Sequence, residues 1–198
     1  DLISRLNEGP VICAEGYLFA MERRGYLQAG AFVPEVVLEH PEVVTQLHRE
    51  FIRSGSDVVE AFTYYGHREK LKIIGKEDKL EALQKNALKI AKDAADEFPD
   101  LDLLIAGNVA NTCVYDPNDR STIEECRKMF EEQVQWAKEA GVDFIIAETI
   151  VWLEEAKIAL KVIKDAGMIA VTNLSIHQED KTRDGYTPED ACKCLEDL

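Results

Sequence analysis

The chain has 198 residues, 46% of them apolar, which is enough to bury the core of one domain and argues against intrinsic disorder. Its 23 Lys and Arg against 38 Asp and Glu give a net charge of −15, which repels nucleic-acid phosphates and anionic lipid and excludes both as expected partners. Five cysteines without Cys-x-x-Cys pairing, apolar stretches shorter than ten residues and a charged opening, DLISRLNEGP, predict reduced thiols, no membrane span, no signal peptide and a cytoplasmic setting.

Short runs rich in Val, Ile and Leu alternate with longer helical patterns, the mark of parallel strands joined by crossover helices. The first predicted strand is Val11–Glu15. A helix follows in HPEVVTQLHREFIRSG, with Pro41 in its first turn, a stripe of Val44, Leu47, Phe51 and Ile52, and Gly55 to end it. The second strand is read as Asp57–Tyr64 and the third as Leu103–Val109. In STIEECRKMFEEQVQWAKEAG, Ser121 and Glu124 fit a capping box, Phe130, Val134 and Ala137 recur at helical spacing, and Gly141 suits a left-handed stop. The fourth strand is Phe144–Thr149, with a helix running from Trp152 to Gly167. The fifth is Ile169–Ser175, and Thr187 and Pro188 open a last helix.

Five such units can form an open doubly wound sheet or the front part of an eight-unit barrel. The segment after the first strand, EGYLFAMERRG, has no Gly-x-Gly-x-x-Gly run, which speaks against a dinucleotide site. A full (β/α)8 TIM barrel needs about 250 residues. The expectation is therefore an α/β chain, residues 1–198 forming about the first five βα units of a TIM barrel, with unpaired strand edges that favour self-association into a homo-oligomer.

Each predicted strand ends on a polar group: Glu15, Glu60, Asn108, Glu148 and Asn173. In parallel α/β folds such ends face one mouth, where binding sites form. Any one of them could instead cap a helix, pair with Arg or Lys, or face solvent. Together they suit an ammonium group, a divalent metal or a proton-transfer role. Tyr64 and Tyr65 follow the second strand, and Tyr17 and Phe32 lie in the first long loop, so a ring-lined pocket for an onium cation is possible. His40 and His48 read as structural, while His67 and His177 stay open as site residues. Cys192 and Cys194 are too close on one helix to face the same way, and Cys13, Cys113 and Cys126 complete no ligand pattern, so no metal site is expected within the chain.

The segments AMERRGY, HPEVVTQLHREFIRSGSDVVEAFTYYGHREKL and EEQVQWAKEAGVDFIIAET, in that order, resemble the homocysteine S-methyltransferases, and most closely their betaine–homocysteine branch. The resemblance implies a barrel enzyme that moves a methyl group from a small donor to the thiol of homocysteine, giving methionine. It also implies zinc held by three cysteine thiolates, all expected beyond Leu198. On the matching positions, Glu148 stands for the acid that meets the homocysteine amino group and Tyr65 for an aromatic near the methyl donor. Phe32 stands where the branch usually has Trp and Tyr64 where it often has Phe. Ala14 replaces a strand-one Asp, Glu15 a Gly, Ala61 a substrate-binding Thr, and Thr149 a donor-site Tyr. The expected substrate-binding set is Glu15, Phe32, Glu60, Tyr64, Tyr65, Asn108, Glu148, Thr149 and Asn173. Two other classes fit the same acids: a lyase or hydrolase using a divalent metal on Glu15, Glu60 and Glu148, and a non-catalytic small-molecule-binding homologue.

Overall fold

The computed structural model describes residues 1–27, 31, 33–176 and 180–198. In chain order the elements are α1 (Leu2–Glu8), α2 (Tyr17–Arg23), α3 (Val36–Glu39), α4 (Pro41–Arg53), β1 (Val58–Glu60), α5 (Arg68–Ile73), a 3-10 turn (Glu77–Lys79), α6 (Leu80–Asp96), β2 (Leu104–Ala110), α7 (Ser121–Ala140), β3 (Phe144–Ile150), α8 (Leu153–Asp165), β4 (Ile169–Leu174) and α9 (Pro188–Glu196). The strands form one parallel sheet in the order β1-β2-β3-β4, each joined to the next through helix. This is an α/β fold.

The predicted first strand requires correction. Val11–Glu15 runs beside β1 but forms only a single parallel bridge, Cys13 to Val58. Side chains take the place of ladder acceptors: the Ile12 N–H donates to Asp57 Oδ2 at 2.7 Å and the Ala14 N–H to Ser56 Oγ at 3.1 Å. The second strand is also shorter than Asp57–Tyr64. After Ala61 the chain turns out of the sheet, with the Thr63 N–H donating to the Ala61 carbonyl and the Thr63 hydroxyl to the Asn108 carbonyl. The other strands fall within a residue of expectation.

Helix ends follow their local chemistry with one exception. Thr187 accepts the Asp190 N–H and Pro188 opens α9, as expected. Gly141 closes α7 at φ 75°. Ser121, however, is not the cap of α7: Asp119 Oδ1, two residues before the predicted box, accepts both the Ser121 N–H and its hydroxyl. The carboxylate is the stronger acceptor, so it wins the contest for the free N–H groups.

The sheet has two unlike faces. Val59, Ala61, Val109, Ile145 and Ala147 point outward into the main core with Phe130, Val134 and Ile163 from the helices. Burying each large side chain there contributes roughly 2–3 kcal/mol. Gly107 allows close approach on this face, since a Cβ there would lie 3.0 Å from the Ala137 Cβ and α7 would have to give by a few tenths of an ångström. The inner face carries a smaller cluster, Val58, Leu104, Ala106, Phe144 and Ile146, covered by Leu2 of α1.

Register is fixed at the amino ends of the strands by a repeated device. Asp57 donates its N–H to the Ile12 carbonyl and accepts the Ile12 N–H on its side chain. Asp143 does the same with Ile105, at 2.8 and 2.7 Å.

Candidate active site

The side-chain alternation of parallel strands places the acids. Glu60 lies level with Ala106, and Asn108 is two residues further along β2. Asn108 lies level with Ile146, and Glu148 is two residues further along β3. All three therefore stand on the inner face, one step beyond its apolar cluster. Cys13 lies level with Val58 and shares that face, as does Glu15 two residues later. Gly16, at φ 93°, then turns the chain into α2.

These residues border a cavity of about 620 Å3 at the carboxyl ends of the strands. Glu15, Glu60, Tyr64, Tyr65, Asn108, Glu148 and Thr149 from the expected set all line it, joined by Lys70 and by residues 16–19. Asn173 does not join them. It is exposed on β4, which has no strand beyond it among the described residues. Phe32 and His177 lie outside the described residues. Tyr17 contributes its ring to the wall but turns its hydroxyl to His48 Nδ1 at 3.1 Å, in the core. His67 is buried next to Tyr65 and does not line the cavity; burial first and the nearby Lys70 second lower its pKa to about 4.

At the centre, one amide bridges two acids. Asn108 Nδ2 donates to Glu60 Oε1 at 2.6 Å and to Glu148 Oε1 at 2.5 Å, while its buried Oδ1 has no partner among the described residues. The Cys13 thiol donates to Glu60 Oε2 at 3.8 Å. Burial raises Glu60 well above the usual carboxylate range, and the Glu148 charge adds to that rise. Burial pushes Glu148 up to about 7, with Glu15 contributing. Every charge that raises these two pKa values is another carboxylate, and no Lys or Arg offsets them. Such a pair is costly unless a cation or a proton enters.

The wall beside the acids is held in an unusual backbone conformation. Thr149 sits at φ 57°, in a break of register between Ala147 and Ile150 of the β3–β4 ladder, and Tyr65 sits at φ 58°. A β-branched residue rarely occupies this region, and the strain costs on the order of 1–3 kcal/mol. Both residues line the cavity, so the strain lies where side chains are aimed at a ligand.

The zinc implied by the sequence resemblance calls for three thiolates, and the residues here do not fit it. Among the described residues, the group with metal-ligand spacing is Cys13, Glu15 and Glu60, whose ligand atoms lie within 4.8 Å of one another. It offers one sulfur. That thiol is driven well above its ordinary pKa by burial and by Glu60, and both Glu60 oxygens are already engaged. All five cysteines are free, and none of them lines the cavity.

Two residues of the site escaped the sequence reading: Lys70, which lines the cavity, and Cys13, which stands behind it and donates to Glu60. Cys13 was within reach, because it stands two positions before Glu15 and so shares its face. Lys70 was not, since charged helical stretches such as REKLKI are ordinary surface and only the approach of α5 to the cavity sets it apart.

Comparison with known proteins agrees with this geometry. The family model described as homocysteine S-methyltransferase matches residues 16–198. Betaine–homocysteine S-methyltransferase 1 of Sus scrofa is 38% identical over 192 residues, covering 94% of this chain and 67% of that protein. The Bos taurus protein of the same name is 39% identical over 183 residues, covering 90% of this chain but 44% of its own length. The chain thus spans less than half of the bovine relative. In structure it is similar to the homocysteine methyltransferase MmuM from Escherichia coli in its metallated form, with a TM-score of 0.82 and 19% identity over 99% of this chain and 74% of that one; this likeness shows the fold. With its family model matched over nearly its whole length and its strand-end acids gathered at one mouth, the chain belongs to the homocysteine S-methyltransferase family.

Proposed function

We propose that this chain supplies the amino-acid-binding half of an enzyme that transfers a methyl group from a small donor, such as betaine or S-methylmethionine, to the thiol of homocysteine, giving methionine. The observation that carries the reading is the pair Glu60–Glu148, bridged by Asn108 and without a cation partner. An ammonium group entering here meets two carboxylates that Asn108 holds side by side, and they offer acceptors for its protons. Its arrival also relieves the repulsion that holds protons on the acids. The chain's own residues thereby fix the amino-acid end of the substrate and set its sulfur in the open part of the cavity.

In this reading residues 1–198 are the first five βα units of a TIM barrel, working in the cytoplasm. Zinc, which would render the substrate sulfur nucleophilic at neutral pH, is held by thiolates outside this chain. No helix among the described residues is long and apolar enough to cross a membrane. Family membership does not favour the metal-dependent lyase or hydrolase.

Calorimetry with homocysteine on the full-length protein tests the role of Glu148. Glu148→Gln lowers affinity by about tenfold to a hundredfold, because a neutral amide cannot match a carboxylate facing an ammonium. Unchanged affinity rejects the assignment, and absence of methionine formation with any onium donor rejects the reaction.

A further inference from the structure

The cavity has a positive end as well as a negative one. Lys70, half-buried on α5, lines it together with Glu15, Glu60 and Glu148, and is the only Lys or Arg among its described lining residues. Its ammonium lies 4.0 Å from the centre of the Tyr65 ring. The other cations of α5 have acid partners: Arg68 pairs with Glu132 at 2.6 Å and Lys72 with Glu69 at 3.7 Å. Lys70 pairs with no carboxylate among the described residues, in a chain with 38 acids to 23 Lys and Arg. It is also absent from the charges that shift Glu60 and Glu148, and acts instead on His67 and Cys113. The cavity thus carries its positive charge and its acids on different elements.

Aromatic side chains connect them. Thr149 follows Glu148 and lines the cavity with Tyr64 and Tyr65, whose rings lie 4.2 Å apart, with Lys70 on the far ring. The Tyr65 face is thus already occupied by a fixed cation, which makes it a poor seat for a second one. The cation it holds is free to receive an anion.

Resting on the function proposed above, we propose that Lys70 is the anion-binding end of the cavity and selects small zwitterions by their carboxylate, while the acids take the cationic end. A carboxylate placed there gains a charge-assisted hydrogen bond, and the aromatic wall accepts the carbon skeleton between the charges. The carboxylate can belong to the amino-acid thiol or to the methyl donor, and paired analogues separate these sources.

The test compares Lys70→Met and Lys70→Arg with the wild-type full-length protein. Binding is measured for homocysteine against 3-aminopropanethiol, which lacks the carboxylate, and for betaine against choline, which carries a hydroxymethyl group in its place. The expected result is that Lys70→Met weakens binding of homocysteine, of betaine or of both by about tenfold to a hundredfold, leaves the matching carboxylate-free analogue within about twofold, and is partly rescued by Lys70→Arg. The pair that responds identifies the molecule whose carboxylate is held. Equal losses for a ligand and its analogue, or no loss for either pair, overturn the role of Lys70 while leaving the functional reading intact. A wild-type protein that binds none of the four overturns both.

Discussion

The two ends of the sheet use the same chemical group for opposite purposes. At the amino ends, Asp57 and Asp143 close a reciprocal pair of hydrogen bonds with the backbone of the neighbouring segment, so each carboxylate satisfies an N–H group and pins the register. At the carboxyl ends, Glu60 and Glu148 share one amide, face other carboxylates and have no cation partner among the described residues. The first arrangement lowers the energy of the folded chain. The second raises it and leaves the site ready for a positively charged ligand.

Removing an acid from each end should therefore change stability in opposite directions. The largest effect is expected at the amino end: Asp143→Ala leaves the Ile105 N–H without its acceptor and destabilises the fold by about 2–3 kcal/mol, read from urea unfolding. A loss below about 0.5 kcal/mol would show that the clamp is incidental.

At the carboxyl end, Glu60→Gln is expected to raise stability by about 1–2 kcal/mol at pH 8, since a neutral amide is buried without the cost of either a charge or a proton taken up far above the acid's ordinary pKa. The pH dependence sharpens the contrast. Glu148 rises from its ordinary value of 4.5 to about 7 in the folded chain, so the native state holds a proton that the unfolded chain has released. Its contribution is fully present below about pH 4.5 and is lost as pH rises through about 7. Unfolding free energy should fall across this window in the wild type, and fall less in Glu60→Gln, which removes one member of the interacting pair. A flat profile in the wild type contradicts the unpaired-acid description.

The smallest effect concerns the strained wall. Thr149→Gly frees a left-handed residue from its Cβ and is expected to stabilise the chain by about 1 kcal/mol while weakening ligand binding, as a side chain that lines the cavity is lost. A thermal melt alongside calorimetry separates the two effects, and a destabilised variant would show that the left-handed backbone at Thr149 costs the fold nothing.

Much of the layout was readable before any coordinates. The alternation of Val/Ile/Leu runs with capped helical stretches gave β2, β3 and β4 to within a residue, because burial on both faces imposes a composition that local sequence displays. The misread parts share a cause. Val11–Glu15 has the composition of a strand, yet Asp57 and Ser56, more than forty residues away, take its N–H groups with side chains. Ser121 has the spacing of a cap, yet Asp119 competes better.

By itself the sequence determined the parallel α/β order, the acidic balance and the placing of Glu15, Glu60, Asn108 and Glu148 at strand ends, since all of these follow from local periodicity. Only the tertiary structure decided that Asn108 would bridge Glu60 and Glu148, that Cys13 would stand behind them, that Asn173 would stay outside, and that Lys70 would face the cavity. Those facts depend on register between strands and on how close a helix approaches the rim, and both are set by contacts between residues far apart in the chain.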